Sequence, residues 1–280
     1  MILIDMNQIA LASLMMNTKM NNSKTIDETM VRHMILNSIR MYRKQYHSEY
    51  GEVVLTWDSK HSWRRDYYPE YKAGRRKGRE GNKDFWNNVF SILNTIRSEI
   101  KENFPYKYLE VFGAEADDII GFLCEENRDE KIMIISGDKD FIQLQKFPNV
   151  KQWSPITKKD INGFNPTTYL KEHILRGDTS DGVPNVLSPD NTFVDGLRQR
   201  PLSRKKIQSW LIGGGSDWND EVKRNFQRNS TLIDLSRTPE ELKNQIRLEY
   251  NNAPHGDRSK LLNYFMQNKL KELTENIGEF

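Results

Sequence analysis

Short apolar segments that run into an acidic residue recur along the first half of this chain. Ile2–Asp5 and Val53–Asp58 each end in an aspartate, and Lys131–Ser136 is followed directly by Gly137-Asp138. Short continuous apolar runs are typical of strands that are buried on both faces of a parallel sheet. The pattern therefore predicts a parallel sheet whose strands carry carboxylates at their carboxyl ends.

Amphipathic helices are predicted between these strands. Residues 28–48 carry an apolar stripe, and Phe85–Ile100 carries a second one that stops before Pro105. Tyr106–Phe112 is predicted as a further strand, and Glu115–Glu126 as the helix that follows it. Because strand alternates with helix, we expect an α/β fold with a mostly parallel central sheet flanked by helices.

The character of the sequence changes after the fourth strand. Val150–Gly163 is compatible with a hairpin, Pro166–Leu175 with a helix, and residues 177–202 form an irregular stretch rich in Gly, Pro and Asp. The remainder is predicted as helices separated by polar loops, at about 203–212, 217–228, 238–250 and 257–275. We therefore expect an α/β part at 1–165 and a helical part at 166–280.

A strongly basic segment lies between the second strand and the long helix after it. Residues 60–79 hold eight Lys or Arg against two acids, which gives +6, whereas the whole chain carries only +3. Such a segment beside many carboxylates suits a protein that grips a polyanion and acts on it with metal ions. The one cysteine, Cys124, excludes a disulfide framework, and no apolar run in the sequence is long enough to span a membrane.

The acidic residues are expected to meet at one edge of the sheet. Ligands of open parallel sheets bind outside the carboxyl ends of the strands, where Asp5, Asp58 and Asp138 fall and where Glu115 and Asp117 open a helix. So many like charges repel one another unless hard cations share the site. One aspartate after a strand is usually a turn former or a helix cap, but repetition at four strand ends favours a metal site.

Four groups of residues stand in a fixed order between residues 1 and 210. They are Ile2–Asp5; Trp57-Asp58 with Trp63-Arg64-Arg65, Tyr71-Lys72 and Arg75; Glu115-Ala-Asp117-Asp118 with Ser136-Gly-Asp138-Lys-Asp140-Phe141; and Gly177-Asp178 with Asp181. As an ordered set they resemble the 5′-nuclease (flap endonuclease) superfamily and, within it, the ribonucleases H of T-even bacteriophages. The resemblance implies a PIN-like nuclease core with a basic arch at about 60–83, followed by a duplex-binding helical region.

The resemblance also implies two metal sites. The first would contain Asp5, Asp58, Glu115, Asp117 and Asp138, and the second Asp140, Asp178 and Asp181. Two Mg²⁺ ions are the implied cofactors, with Mn²⁺ as a substitute, and a pair of such ions can hold both the attacking and the leaving oxygens of a phosphodiester displacement. Lys72 and Arg75, which match family residues near the scissile phosphate, are expected to be catalytic together with Asp138. Asp118 either acts through water or caps the helix.

Contacts with nucleic acid are expected in two places. In the arch they are Arg64, Arg65, Tyr71, Lys72, Arg75, Arg76 and Arg79. Further along, Ser203 can cap a helix whose first residues, Arg204 and Lys205, can bind phosphate. This region departs from the family's helix–three-turn–helix, because an insertion at 186–202 replaces the usual Gly-x-Gly turn and Lys-Thr helix start. The five histidines show no metal-ligand spacing, and ordinary roles are predicted for them.

Together these features predict a phage 5′-to-3′ exonuclease and 5′-flap endonuclease that removes RNA primers and adjacent DNA from lagging-strand fragments. Its expected substrates are DNA and RNA–DNA duplexes with 5′ ends or flaps. A phage single-strand binding protein and a sliding clamp are the implied partners of a monomer in the cytoplasm of the infected bacterium, away from membranes. Two alternatives stay open: a PIN-type ribonuclease, and a non-catalytic protein that binds structured nucleic acid.

Overall fold

The structure, a computed structural model, describes residues 1–20 and 25–280, apart from the side chains of Arg76 and Lys77. Within these ranges a six-stranded sheet forms the centre, with strands β1 Ile2–Asp5, β2 Val53–Thr56, β3 Lys107–Leu109, β4 Ile132–Ile135, β5 Val150–Ser154 and β6 Lys159–Asp160. The strand order is β3-β2-β1-β4-β5-β6, and only the pairing of β6 with β5 is antiparallel. The predicted mostly parallel sheet and the hairpin after residue 150 are confirmed.

Helices cover the sheet and continue to the C-terminus. They are α1 Met6–Met20, α2 Glu28–Tyr50, α3 Trp63–Tyr67, α4 Ala73–Glu80, α5 Lys83–Asn103, α6 Ala116–Glu126, α7 Pro166–Arg176, α8 Arg204–Gly213, α9 Asp220–Ile233, α10 Glu240–Asn252, α11 Leu261–Gln267 and α12 Lys271–Glu275. Shorter 3₁₀ segments lie at Lys139–Lys146, Asp190–Thr192, Leu235–Arg237 and Ile277–Glu279.

Outside the basic segment at 60–83, two helical regions differ from the sequence prediction. Helix α1 was not predicted, because Ser13 and Asn17 lie on its buried side and interrupt the apolar stripe. The single helix expected at 257–275 is split into α11 and α12, with Lys269 between them in the left-handed backbone conformation (φ 55°). A residue with this backbone conformation interrupts a right-handed helix, so the chain turns there.

The sheet has an apolar core on each face. Ile2 and Ile4 of β1 pack with α1, α2 and α5 on one face, whereas Leu3 packs with α6 on the other. The C-terminal helices contribute to both cores: Phe265 of α11 lies in the first and Ile246 of α10 in the second. The helical half is therefore packed against the same sheet as the α/β half.

The register of the sheet places the acidic residues side by side. Asp5 is paired with Thr56 of β2, and Ile4 is paired with Ile135 of β4. Asp58 and Asp138 follow those neighbouring strands within a few residues. Three aspartates that are distant in sequence therefore lie at one edge of the sheet, as predicted.

The basic arch, residues 60–83, is anchored to the turn after α7. It contains two short helices, α3 and α4, which were not predicted from the sequence. The backbone N–H of Lys72 donates to the carbonyl of Asp181 at 2.7 Å, and the Tyr68 hydroxyl donates to the carbonyl of Asp190 at 2.6 Å. Gly182 (φ +76°) packs so closely that a Cβ there would lie 3.1 Å from the carbonyl oxygen of Glu70. The base of the arch and this turn form one unit.

Candidate active site

The first carboxylate group consists of Asp5, Asp58, Asp117 and Asp138. Asp5, Asp58 and Asp138 accept hydrogen bonds from the elements that surround the sheet edge. Asp5 accepts from the Ser136 hydroxyl at 3.0 Å, and Asp58 accepts from the N–H of Ala116, the first residue of α6, at 2.8 Å. Asp138 caps the 3₁₀ segment that follows it, by accepting from the N–H of Asp140 at 3.0 Å. These donors fix the carboxylates without neutralising them.

Burial and repulsion between neighbours raise the pKa values of three of these carboxyls, Asp5, Asp58 and Asp117. Burial raises the pKa of Asp5 to about 7, and the charges of Asp58 and Asp138 add to the shift. The pKa of Asp58 is raised by burial and then by Glu115, and that of Asp117 by burial and then by Asp138 and Asp5. Each carboxylate thus feels its neighbours. Clustered oxygen donors whose own charges repel are a suitable ligand set for a hard divalent cation.

The second carboxylate group consists of Asp140, Asp178 and Asp181, and a histidine lies among its members. His173 Nδ1 is 3.3 Å from Asp140 Oδ1, and His173 Nε2 is 3.6 Å from Asp178 Oδ2. Asp178 also accepts hydrogen bonds from the N–H and the hydroxyl of Ser180, both at 2.7 Å. A recess lined by Asp117 and by all three members of the second group joins the two groups.

The pKa values of Asp140 and Asp178 in the second group are shifted in opposite directions. Burial raises the pKa of Asp140 to about 7, with Asp138 of the first group as the next cause. The pKa of Asp178 is lowered instead: burial raises it, but the hydrogen bonds from His173 and Ser180 outweigh that effect. Asp178 is therefore stabilised as an anion by the protein itself, whereas Asp140 is not.

Glu115 and Asp118 lie beside the first group, but protein donors occupy their oxygens. Arg64, which is only 2% exposed, donates to Asp118 at 2.8 and 2.9 Å and to Glu115 at 3.2 Å. Asp118 also accepts from the backbone N–H of Glu115 at 2.9 Å in a capping box at the start of α6. Of the two roles considered for Asp118, the helix cap is the one observed.

Two cations of the arch reach into the space between the carboxylate groups. Lys72 Nζ is 2.6 Å from Glu115 Oε1 and 3.6 Å from Asp181 Oδ2, and Arg75 Nη2 is 2.5 Å from Asp181 Oδ1. Burial lowers the pKa of Lys72, but the charges of Glu115 and Asp181 raise it by more than burial lowers it, so the net shift of this pKa is upward. Lys72 is thus held as a buried cation at the site.

A cavity of about 780 Å³ lies under the arch. Asp58, Glu115, Lys72, Arg65, Arg75 and Arg79 line it together with an apolar wall formed by Leu11, Trp86, Phe90 and Leu93. The Arg79 guanidinium lies 5.0 Å from the ring centroid of Trp86 and 5.1 Å from that of Phe90. The cavity is therefore lined by carboxylates on one part of its wall and by cations and aromatic rings on the rest.

The start of α8 has the predicted capping geometry. The Ser203 hydroxyl accepts from the N–H of Lys206 at 3.2 Å, which confirms the cap. Arg204 and Lys205 are exposed in the first turn. This cationic helix start can bind phosphate, and it lies beyond the insertion that follows the second carboxylate group.

Comparison with known sequences identifies the family. The family model described as 5′-3′ exonuclease, N-terminal resolvase-like domain, matches residues 1–173. The chain belongs to this family. A second family model, described as T4 RNase H, C terminal, matches residues 166–280. The predicted membership of the 5′-nuclease superfamily is confirmed, and with it the predicted enzyme class, a nuclease.

Individual relatives agree with this assignment. The ribonuclease H of Enterobacteria phage T4 is 34% identical, over 99% of this chain and 95% of its own length. A 5′-3′ exonuclease of Buchnera aphidicola subsp. Schizaphis graminum is 31% identical, over 51% of this chain and 50% of its own length. The likeness to the phage protein thus includes the helical half as well as the sheet.

Solved structures share the fold of this 5′-3′ exonuclease family member. The flap endonuclease of bacteriophage T5, in a pseudo-enzyme-product complex with DNA and metal ions, has a TM-score of 0.63 at 17% identity and covers 89% of this chain and 97% of that chain. The T5 5′-exonuclease with bound zinc has a TM-score of 0.61 at 15% identity, over 90% and 98%. Separately, none of the helices in the described ranges has the length and apolarity to cross a membrane.

Three predicted nucleic-acid contacts of this nuclease need correction or fall outside the description. Arg64 is buried in its ion pair with Asp118, so its position does not support contact with a substrate. Tyr71 is 3% exposed, and its hydroxyl lies 2.8 Å from oxygens of both Glu115 and Asp181, which leaves no ring face for stacking. The side chain of Arg76 lies outside the described residues.

Three residues near the site were not predicted from the sequence. Trp86 and Phe90 lie on α5 outside its buried apolar stripe, and Phe90 is 41% exposed. Aromatic residues on the polar side of an amphipathic helix were the available signal. His173 gave no signal through ligand spacing, because one of its partners, Asp140, lies on another element.

Proposed function

We propose that this chain is a metal-dependent nuclease that cleaves the phosphodiester backbone of DNA and of RNA–DNA duplexes at 5′ ends and 5′ flaps. The observation that carries the proposal is the convergence of the first carboxylate group, in which the pKa values of Asp5 and Asp117 are raised, beside the buried cation of Lys72. Repelling carboxylates for metal and a cation for phosphate are the two requirements of this hydrolysis. Membership of the 5′-3′ exonuclease family supports the same chemistry.

The proposed cofactors are two Mg²⁺ ions, with Mn²⁺ as a substitute. Asp5, Asp58, Asp117 and Asp138 would hold one ion, and Asp140, Asp178 and Asp181 the other. When bound, such ions lower the pKa of water and stabilise charge on the oxygens of a phosphodiester that is being cleaved. Glu115 would act on the first ion only indirectly, because its oxygens already accept from Lys72, Tyr71 and Arg64.

Lys72 and Arg75 are proposed to stabilise negative charge on the scissile phosphate. Glu115 and Asp181 hold the Lys72 ammonium from two sides, so its position is fixed before a substrate arrives. A preorganised cation stabilises developing charge without paying for reorientation. The Arg75 side chain is 46% exposed, and it can exchange its contact with Asp181 for a phosphate oxygen.

The cavity under the arch is proposed to receive the unpaired 5′ strand. Its aromatic wall at Trp86 and Phe90 offers a stacking surface that tolerates any base. Arg65 and Arg79 line the same cavity and would neutralise the backbone of that strand. The duplex beyond the cut would contact the helix start at Arg204 and Lys205.

A division of roles between the two halves of the chain is part of the proposal. Residues 1–165 would form the nuclease core, with the arch at about 60–83, and residues 166–280 would bind the duplex. The full-length relation to the ribonuclease H of phage T4 supports removal of RNA primers and adjacent DNA during phage replication. In that role the protein would act as a monomer in the cytoplasm of the infected bacterium, beside a single-strand binding protein and a sliding clamp.

Cleavage of a 5′-labelled RNA–DNA hybrid and of a 5′-flap duplex, with Mg²⁺ and then with chelator, tests the proposal. We expect cutting of both substrates that the chelator abolishes. Duplex binding with no cleavage in Mg²⁺ or Mn²⁺ would support the non-catalytic alternative. A preference for structured single-stranded RNA over flaps would support the PIN-type ribonuclease.

A further inference from the structure

We propose that His173 is a ligand of the second metal ion, so that this site contains an imidazole nitrogen among its carboxylate oxygens. The inference rests on the proposed function only in assuming that the second carboxylate group binds a divalent ion. It adds a residue to the predicted metal ligands, all of which are acids. It also assigns to the second site a metal preference that differs from that of the first.

The side chain of His173 is placed inside the second group rather than beside it. Its ring is 16% exposed, with one nitrogen 3.3 Å from Asp140 and the other 3.6 Å from Asp178. One ligand atom from each of these three residues lies within 4.8 Å of the other two. An ion binds only one nitrogen of an imidazole, so the deciding observation is that one ligand atom from each of the three residues lies within reach of a common ion.

The local backbone is built to bring the histidine and Asp178 together. His173 lies in the last turn of α7, where its carbonyl accepts from the N–H of Gly177 at 2.8 Å. Gly177 has φ +67°, and a Cβ there would be 2.4 Å from the carbonyl oxygen of Val183. Only glycine fits this turn, which reverses the chain and returns Asp178 to the imidazole. Tyr169, one helical turn earlier, packs edge-on against the ring at 6.0 Å and limits its rotation.

An imidazole ligand changes which ions the site prefers. Carboxylate oxygens suit Mg²⁺ and Mn²⁺, whereas imidazole nitrogen favours the later first-row metals and gives Mn²⁺ an advantage over Mg²⁺. The first carboxylate group has oxygen ligands only in this proposal. We therefore expect the second site to discriminate more strongly between Mn²⁺ and Mg²⁺ than the first site does, and His173 to be the cause of the difference.

Electron spin-echo spectroscopy of the Mn²⁺-loaded protein, without nucleic acid, tests the assignment. A directly bound imidazole nitrogen produces a nitrogen-14 modulation, which changes when histidine is labelled with nitrogen-15. We expect this modulation in the wild-type protein with both sites filled, and its loss in His173→Gln. The matched control is His255→Gln, since His255 is exposed and lies beside Glu52, which precedes β2, whereas Asp58 follows that strand; that variant should keep the modulation.

Metal affinity gives a second readout that does not depend on activity. In calorimetric titrations His173→Gln should weaken Mn²⁺ binding at one of two sites by about tenfold or more and Mg²⁺ binding by less. Wild-type protein that binds two Mn²⁺ ions without nitrogen modulation would overturn the proposal, as would modulation that persists in His173→Gln. Nuclease assays on the same samples keep the two proposals separate: an inactive protein that still shows the modulation contradicts the proposed function and not the ligand.

If His173→Gln fails to fold, Asp178→Asn provides the second variant. It leaves the imidazole in place but removes its neighbouring oxygen ligand, so the second Mn²⁺ ion should be lost and the nitrogen modulation should vanish with it. Modulation of wild-type strength in Asp178→Asn would show that the nitrogen belongs to another site, and the proposal would be wrong.

Discussion

The two carboxylate groups of this nuclease are close together but are stabilised in opposite ways. The first is attached to the ends of buried strands, where burial and the charges of Asp58 and Asp138 raise the pKa of Asp5 to about 7, although a hydroxyl and a backbone N–H donate to it. The second is attached to a helix end and a glycine turn, where His173 lies beside Asp178 and Arg75 beside Asp181. Burial and repulsion dominate in the first group, and protein cations offset them in much of the second.

This difference indicates which of the two carboxylate groups depends more on a metal ion to offset the repulsion between its charges. In the first group burial and repulsion keep the pKa values of Asp5, Asp58 and Asp117 raised, so at neutral pH a bound divalent cation would relieve the repulsion between carboxylates that the sheet holds in place. In the second group the side chains of Lys72 and Arg75 already place positive charge beside Asp181. We therefore expect the first group to dominate both the chemistry and the response of the protein to metal removal.

The largest effect is expected from a matched pair of substitutions, one in each group. Asp138→Asn should slow cleavage about a thousandfold or more, because it removes a ligand where several kcal/mol of metal stabilisation act on the transition state. Asp178→Asn should cost less, about a hundredfold or below. Single-turnover cleavage of a flap substrate measures both rates, and duplex affinity serves as the control. Equal losses in the two variants would remove the distinction between the groups.

Lys72→Ala is expected to rank second. Loss of a preorganised cation at the phosphate should slow cleavage about a hundredfold while weakening substrate binding only slightly. Lys60→Ala is the matched control, since Lys60 also lines the arch cavity but is exposed. The comparison uses kcat/KM and Kd at one salt concentration. If Lys72→Ala lowers both quantities by the same factor, Lys72 only tethers the substrate.

The stability of the metal-free protein should depend on pH in a direction set by the raised pKa values. With pKa values of about 7 in the folded protein, Asp5 and Asp140 hold protons that the unfolded chain has released. The free energy of unfolding should therefore fall, by about 2.5 kcal/mol for each of the two groups, as the pH rises from about 5 to 8. The pKa values of Glu115 and Asp178 are lowered in the folded protein, so the stability that their ionised forms contribute is lost only when the pH falls below this range.

Urea unfolding at several pH values, in chelator and in Mg²⁺, measures this dependence. Because Mg²⁺ binds the ionised carboxylates, a saturating concentration should remove most of the fall. Metal-free protein whose stability rises over the same pH range would show that the carboxylates do not repel one another as the geometry indicates.

The smallest effect is expected at the aromatic wall of the arch cavity. Trp86→Ala removes one stacking surface and should weaken binding of an unpaired 5′ flap about tenfold, with little change in the cleavage rate of bound substrate. A blunt duplex without a flap provides the comparison, and its affinity should not change. An equal loss for flap and blunt substrates would place the unpaired strand elsewhere.

The sequence was sufficient for the sheet edge but not for the charged surroundings. Asp5, Asp58 and Asp138 follow apolar strands, and the geometry of parallel sheets brings such positions together whatever lies between them. Arg64 could not be separated from the basic segment around it, because its burial depends on Asp118 and on the carbonyl of Leu232. The charge pattern of a segment does not show which of its cations is buried by residues that are distant in sequence.

The same limit explains His173. An isolated histidine in a helix has no local signal for metal binding, and its neighbours Asp140 and Asp178 are brought to it by the fold. The turn at Gly177, which makes the approach possible, appears in the sequence only as one glycine before an aspartate. The spacing of residues in the sequence cannot predict a contact that depends both on a glycine with positive φ and on a partner from another element.

Anomalous diffraction from crystals soaked in Mn²⁺ tests the central claim most directly. The claim is that acids distant in sequence form two adjoining sites for divalent ions. The predicted result is two peaks, one in contact with Asp117 and Asp138 and the other in contact with Asp140 and Asp178. Manganese that binds only at other surfaces, with no peak among these four carboxylates, would contradict the account.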